Sequence, residues 1–322
     1  MDRIGALSNK NYLSTLYNWP VIGNLEPLLQ IENDIKLGNL PNVYLFSGPA
    51  RVGKSKTALV LAQIFQCENK YCRVCPICKK IAQGTHADTI MLDDNGEKVK
   101  IEEVRALVNK INMTTNSKYK VVYIQNIERM TIEASNSFLK TLEEPPANTI
   151  FIFTTGNWRN LLPTVVSRSR LVKFRIPPIG DIRVDLKKQF ADIDEKTIEQ
   201  SLIYSLFKPE SARDLLNSQD DLMEAQKFYL RIVKLFEKKD IYESFSFVDE
   251  HHKEPEIIKQ FIAYGIYILR SFLLKQLNEN EEEDAKITNY VDQINYLENA
   301  RRLMKSNVNV KLLLENFFIK LC

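Results

Sequence analysis

"VYLFSGPARVGKS", Val43–Ser55, decides the fold. The apolar run Val43–Gly48 leads into a loop, Gly48–Ser55, that fits G-x-x-x-x-G-K-[ST]. Gly48 and Gly53 let the backbone of Pro49, Ala50, Arg51 and Val52 curl, so that N–H groups face phosphates. Lys54 supplies a positive charge to the terminal phosphates and Ser55 a hydroxyl for Mg2+. The helix that follows, read over Lys56–Gln66, adds the positive end of its dipole. A strand before the loop and a helix after it are the context this pattern requires. The loop therefore predicts a site for ATP or ADP with Mg2+. The alternative is a loop that keeps its shape and binds nothing.

Outward from the loop, "TIMLD" (Thr89–Asp93), "KVVYI" and "TIFIFTT" read as further strands. Between them, Ile101–Ile111 places Ile101, Val104, Leu107, Val108 and Ile111 on one helical face. Thr131–Glu144 is helical until Pro145 and Pro146 end it. Strands alternating with helices predict an α/β core whose parallel sheet is covered on both faces. From Pro177 the pattern is helical only. Short helices are expected at Thr197–Leu206 and Ala212–Leu216. Longer ones are expected at Glu224–Lys238, Glu254–Gln276, Ile287–Lys305 and Val310–Leu321. In the third of these, Ile287, Tyr290, Val291, Ile294, Leu297 and Ala300 mark one apolar face. "NENEEEDA", Asn278–Ala285, reads as a solvated loop. The expected division is 1–176, 177–218 and 219–322.

A hydrolase built on such a loop needs acids at the end of a later buried strand. The strand Val121–Ile124 ends instead in Gln125 and Asn126. Gln125 cannot offset a metal's charge, and Asn126 cannot take a proton from water. Loss of a general base alone lowers a rate on the order of 10²–10⁴-fold. Glu128 lies two residues further on, in an expected turn, where displacement works against a catalytic role. The expectation is a chain that binds nucleotide and hydrolyses it poorly.

Cys67, Cys72, Cys75 and Cys78 form C-x₄-C-x₂-C-x₂-C in "CENKYCRVCPIC". Four thiolates at this spacing can close a tetrahedron on Zn2+, and with no open position the site would be structural. The alternative is four unrelated reduced thiols. Cys322, at the far end, is not expected to be a ligand, and His86 is expected to be a surface or packing residue.

The 322 residues exceed one comfortable core, so two or three domains are expected. A net charge of +3, with 44% hydrophobic and 26% charged residues, is ordinary for a soluble protein and announces no nucleic-acid binder. "MDRIGALSNKNY" carries no apolar signal region. The apolar run Phe261–Leu269 is interrupted by Arg270 and reads as too short to span a bilayer. A cytoplasmic location without membrane contact is expected.

These features in this order resemble a known family. After the loop and the cysteine module come "SNSFLKTLEEPP" (Ser135–Pro146) and "SRSR" (Ser167–Arg170), and "WPVIGN" (Trp19–Asn24) precedes them. The set resembles the bacterial DNA polymerase III clamp-loader subunits of the delta-prime or gamma/tau kind. The likeness is strongest over 18–178, and "NVNVKLLLENFFIKL" (Asn307–Leu321) resembles the delta-prime C-terminal helix. The resemblance implies an α/β P-loop AAA+ core with an inserted zinc module (67–78), an all-α lid and an all-α collar that joins five subunits in a ring. It implies gamma/tau and delta subunits, a sliding clamp and primer-template DNA as partners. Arg168 would be an arginine finger reaching a neighbour's ATP; Ser169 stands where the family carries cysteine. Thr155 would be the sensor-one residue and Arg213 the sensor-two arginine. Without acids at 125 and 126, and ending soon after the collar, the chain reads as delta-prime; the alternative is an active gamma/tau motor. A stand-alone P-loop kinase would need an acidic base and a substrate lid, neither of which the sequence offers.

Overall fold

The structure is a computed structural model. It describes residues 15–69, 71–93, 97–115, 117–278, 284–304 and 308–321. Residues up to Asp192, with Phe207–Ser211, form one compact unit. Ile193–Leu206 and the chain from Ala212 form a second.

The first unit runs α1 (Leu25–Leu37), β1 (Val43–Ser47), α2 (Lys54–Gln66), α3 (Pro76–Ala82), β2 (Thr89–Leu92) and α4 (Ile101–Ile111). It continues with β3 (Lys120–Ile124), α5 (Ile132–Glu143), β4 (Thr149–Thr155), α6 (Pro163–Ser167), β5 (Arg170–Lys173) and α7 (Ile179–Gln189). The five strands form one parallel sheet in the order β2-β3-β4-β1-β5. Every residue of β1, β3 and β4 is buried, which is why these strands read as continuous apolar runs. Alternate residues serve opposite faces. Tyr44, Phe46, Val121 and Tyr123 pack with Leu61 and Ile64 of α2 on one side. Val43, Leu45, Val122 and Ile124 pack with Leu107 of α4 and Phe138 of α5 on the other.

The sequence reading found four of these strands and passed over β5. That strand borders the sheet beside β1, with Arg170 and Lys173 exposed, and so carries no apolar run. Charged residues on such an edge discourage pairing with other chains. Arg170 is anchored by Asp34 of α1 at 3.0 Å. Helix α4 has the bounds expected for it, and α5 starts where Thr131 accepts the Ala134 N–H at 3.2 Å.

The second unit contains α8 (Glu195–Tyr204), most of α9 (Pro209–Asn217), α10 (Gln219–Lys238), α11 (Ile241–His251), α12 (Pro255–Asn278), α13 (Asp284–Leu303) and α14 (Val310–Leu321). Its core joins Phe236 of α10, Phe247 of α11, Phe261 of α12, Leu297 of α13 and Phe317 of α14. Helix α11 escaped the sequence reading; Asp240 caps it by accepting from the N–H groups of Tyr242 and Glu243. On α13 the buried face is turned from the expected one. Leu297 and Ala300 are buried, but Gln293 joins them and Val291 is exposed.

Helix α12 matches the helix expected over Glu254–Gln276 to within two residues at each end. It corrects instead the expectation that this segment is too short to span a bilayer: its 24 residues are long and apolar enough by length and composition to cross a membrane. Ile258, Phe261, Ile262, Ile268 and Leu269 are nevertheless buried in the core of this unit. Most of "NENEEEDA", and Cys322, lie outside the described residues.

Candidate functional site

The loop Gly48–Ser55 leaves the carboxyl end of β1, beside the end of β4, where open α/β sheets bind their ligands. Gly48 N–H donates to Thr155 O at 3.1 Å. Two glycines are dictated by space. At Gly48 a Cβ would lie 2.2 Å from Phe174 O, and at Gly53, with φ +100°, it would lie 2.5 Å from Val21 Cγ1. Only glycine allows the chain this close to both neighbours. Helix α2 starts at Lys54 rather than Lys56, so the loop ends on the free N–H groups of a helix.

Lys54 is buried at this helix start, and its Nζ donates to Gly48 O at 2.7 Å and Pro49 O at 2.6 Å. Burial lowers its pKa to about 8, against the opposing charge of Glu128. Ser55, next on the helix, is half-buried. The tip of the loop is braced from a distant part of the sequence. Glu210 N–H donates to Arg51 O at 3.2 Å, Arg51 Nε donates to Ser211 Oγ at 3.2 Å, and Lys56 forms an ion pair with the buried Glu210 carboxylate. The sequence reading missed this brace, because an ion pair between residues 56 and 210 leaves no local pattern. Arg51 itself holds φ +65°, the left-handed turn that carries the loop around.

At the end of β3, Gln125 N–H continues the ladder to Leu92 O at 3.0 Å. Asn126 turns into the left-handed region, and its N–H donates to Thr154 Oγ1 at 3.1 Å. The next residues form a short 3₁₀ turn, Ile127–Arg129. From it Glu128 Oε1 accepts the Gly156 N–H at 2.7 Å, just past the end of β4. Thr155 is fully buried; its Oγ1 accepts the Asn157 N–H at 3.2 Å. The structure thus gathers the loop, the ends of β3 and β4, Thr155 and Glu128 at the carboxyl end of the sheet. The positions where a hydrolase would carry acids hold two amides.

Arg168 caps α6 and donates to Thr164 O at 3.0 Å and Glu143 Oε1 at 2.8 Å. Arg213 is on α9, in the part that belongs to the second unit. His86 is half-buried and within 3.3 Å of Thr89 Oγ1; burial lowers its pKa.

The cysteines form a second centre between α2 and α3. The four sulfurs lie within 4.8 Å of one another. Cys67 Sγ is 3.7 Å from both Cys72 Sγ and Cys75 Sγ. A disulfide would need about 2 Å. A tetrahedron of sulfurs around a metal at about 2.3 Å has edges of about 3.8 Å, which these distances match. The turns also suit thiolates. Cys75 N–H donates to Cys72 Sγ and Cys78 N–H to Cys75 Sγ, at 3.4 and 3.3 Å. Backbone N–H groups, that of Cys75 first, lower the Cys72 pKa to about 6, whereas burial raises that of Cys78 to about 12. A bound cation would favour the thiolate at every position. The four residues can hold a metal ion.

A five-stranded parallel sheet, with a phosphate loop after β1 and helical segments beyond, defines a P-loop protein of the AAA+ class. Residues 24–178 match the family described as "DNA polymerase III, delta subunit". The DNA polymerase III subunit delta' of Bacillus subtilis is 26% identical over 94% of this chain and 98% of its own length. The gamma subunit of Buchnera aphidicola from Schizaphis graminum is 32% identical over 64% of this chain, which spans 58% of that relative. A gamma subunit-related protein from Thermotoga maritima shares the fold, with a TM-score of 0.54 and 22% identity, over 90% of this chain and 97% of its own. Over residues 24–178 the chain carries the core of the matched family, and its likeness to a DNA polymerase III delta' subunit extends along nearly its whole length.

Proposed function

We propose that this chain is the delta-prime-type member of a bacterial clamp loader, a subunit that binds nucleotide but hydrolyses it poorly. One observation carries this reading. At the end of β3 the side chains are Gln125 and Asn126, and Asn126 is held in a left-handed turn by Thr154. No carboxylate stands there to hold Mg2+ or to activate water. Likeness to a delta' subunit along nearly the whole chain supports the same assignment.

In this reading the chain has an AAA+ core (1–176), a helical lid (177–218) and a collar (219–322) within a five-subunit ring. Its partners are gamma/tau and delta subunits, the sliding clamp and, through the assembly, primer-template DNA in the cytoplasm. Gly48–Ser55 take ATP or ADP with Mg2+, and Thr155 and Arg213 act as the two sensors. Arg168 is the finger offered to a neighbour's ATP. The cysteines hold one structural Zn2+, which stabilises the turn between α2 and α3 and takes no part in hydrolysis.

A second reading, an active gamma/tau motor, draws on the intact loop and on Glu128, whose carboxylate reaches the end of β4. Reconstitution with the host's gamma/tau and delta subunits separates the two. A delta-prime subunit completes a complex that loads clamps, and it shows negligible turnover alone. Turnover by the isolated chain that disappears in Glu128→Gln selects the motor.

A further inference from the structure

We propose that Glu128 makes the phosphate loop a site for nucleoside diphosphates in preference to triphosphates. The inference rests on the reading that Gly48–Ser55 bind nucleotide, and it assigns a ligand to that site.

The geometry fixes the carboxylate beside the loop. Thr155 O accepts the N–H of Gly48, the first residue of the loop. The next residue, Gly156, donates its N–H to Glu128 Oε1 at 2.7 Å. Glu128 therefore stands one residue along β4 from the point where the strand grips the loop. Lys54 Nζ is on the same side, bonded to Gly48 O. The negative charge of Glu128 acts on the Lys54 ammonium, favouring its protonated form against burial.

A terminal phosphate competes for this cation. In a P-loop hydrolase the lysine and a metal held by strand-end acids together offset the charge of the triphosphate. Here Gln125 and Asn126 offer the metal no charge, Lys54 Nζ is already bonded to Gly48 O and Pro49 O, and Glu128 adds its negative charge to the field around it. A γ-phosphoryl group would bring added negative charge towards a tethered carboxylate, and like charges brought together repel, less strongly at exposed Glu128 than in a buried site. A diphosphate ends one phosphoryl group earlier. It keeps the loop's N–H groups and the α2 dipole, and it avoids most of the repulsion.

The test is isothermal titration calorimetry of the full chain with ADP and with ATP, in magnesium-free buffer. Wild type should bind ADP on the order of tenfold more tightly than ATP. In Glu128→Gln the amide oxygen can still accept from Gly156, so the turn is kept and only the charge is lost. The two affinities should converge there, chiefly by a gain for ATP. Wild type binding ATP as tightly as ADP overturns the proposal without recourse to any variant. A preference that survives Glu128→Gln overturns the role of Glu128. Failure of wild type to bind either nucleotide overturns both this proposal and the nucleotide reading beneath it, whereas equal binding leaves that reading standing.

Discussion

Arg168 and Glu143 face each other at 2.8 Å, one from the "SRSR" stretch and the other from "LKTLEEPP". The pair joins the end of α6 to the end of α5, and both side chains are substantially exposed. Exposed pairs of this kind contribute about 0.2–1 kcal/mol. In the proposed finger role this contact would give way readily, because a phosphate would offer the guanidinium two oxygens and more charge, where Glu143 accepts a single N–H. Arg168→Ala should therefore leave folding and ring assembly nearly unchanged. It should lower ATP turnover of the neighbouring motor in the clamp- and DNA-stimulated complex. Arg168→Lys should restore the charge but not the fork, and so rescue only in part. Equal turnover in wild-type and Arg168→Ala complexes of the same composition would return Arg168 to a surface ion pair.

Elemental analysis of protein purified without chelator should find about one zinc per chain. Cys75 is the informative position, because its sulfur accepts from Cys78 N–H and its own N–H serves Cys72. Cys75→Ser should lose zinc and loosen the turn between α2 and α3. The second unit has its own core and should keep its helical signal. A folded, reduced wild-type sample without metal would refute the assignment.

How much of this was legible in the sequence follows from how local each signal is. The phosphate loop and the cysteine quartet are contiguous patterns, and the structure brings each set together. The buried strands announced themselves as apolar runs. The edge strand β5 did not, because its charges face solvent. The α13 face was misjudged at Val291 because buried Gln293 is polar; tertiary packing, not hydrophobicity, fixed the rotation of that helix. The brace from Glu210 and Ser211 to the loop, and the tether from Glu128 to Gly156, join residues far apart in the chain. Neither leaves a trace at short range.

Gly265, midway along α12, packs against Phe236 of α10 and Leu297 of α13. A Cβ there would lie 2.7 Å from Phe236 Cζ and 2.9 Å from Leu297 Cδ1. Alanine in a helix interior is favoured over glycine by about 1 kcal/mol. Overpacking a tight core costs about 1–3 kcal/mol. The contacts are with side-chain ends that can yield a little, so Gly265→Ala should destabilise by about 1 kcal/mol net, and Gly265→Leu by considerably more. Denaturant titration should show a lower midpoint with an unchanged slope. A more stable Gly265→Ala would mean that Phe236 and Leu297 move aside freely.

Lys54 ties the loop to pH. Its pKa in the folded chain is about 8, below the usual lysine value of 10.5, because burial disfavours the charged form more than Glu128 supports it. Between these values the unfolded chain binds more protons at this position than the folded one, so the contribution of Lys54 to stability rises with pH across that window. Below about 8 the buried charge is present in full and its cost to folding is greatest. Nucleotide binding should run the other way, since phosphates are drawn to the ammonium and not to the neutral amine. The rise in melting temperature caused by saturating nucleotide should therefore shrink as pH climbs through about 8. Lys54→Ala should abolish the nucleotide-induced rise at every pH. Lys54→Arg keeps its charge throughout and should flatten the pH dependence wherever binding survives. A nucleotide-induced shift that persists in Lys54→Ala would mean that the ligand binds elsewhere on the chain. A wild-type shift of constant size from pH 7 to 9.5 would mean that Lys54 does not lose its proton in this range.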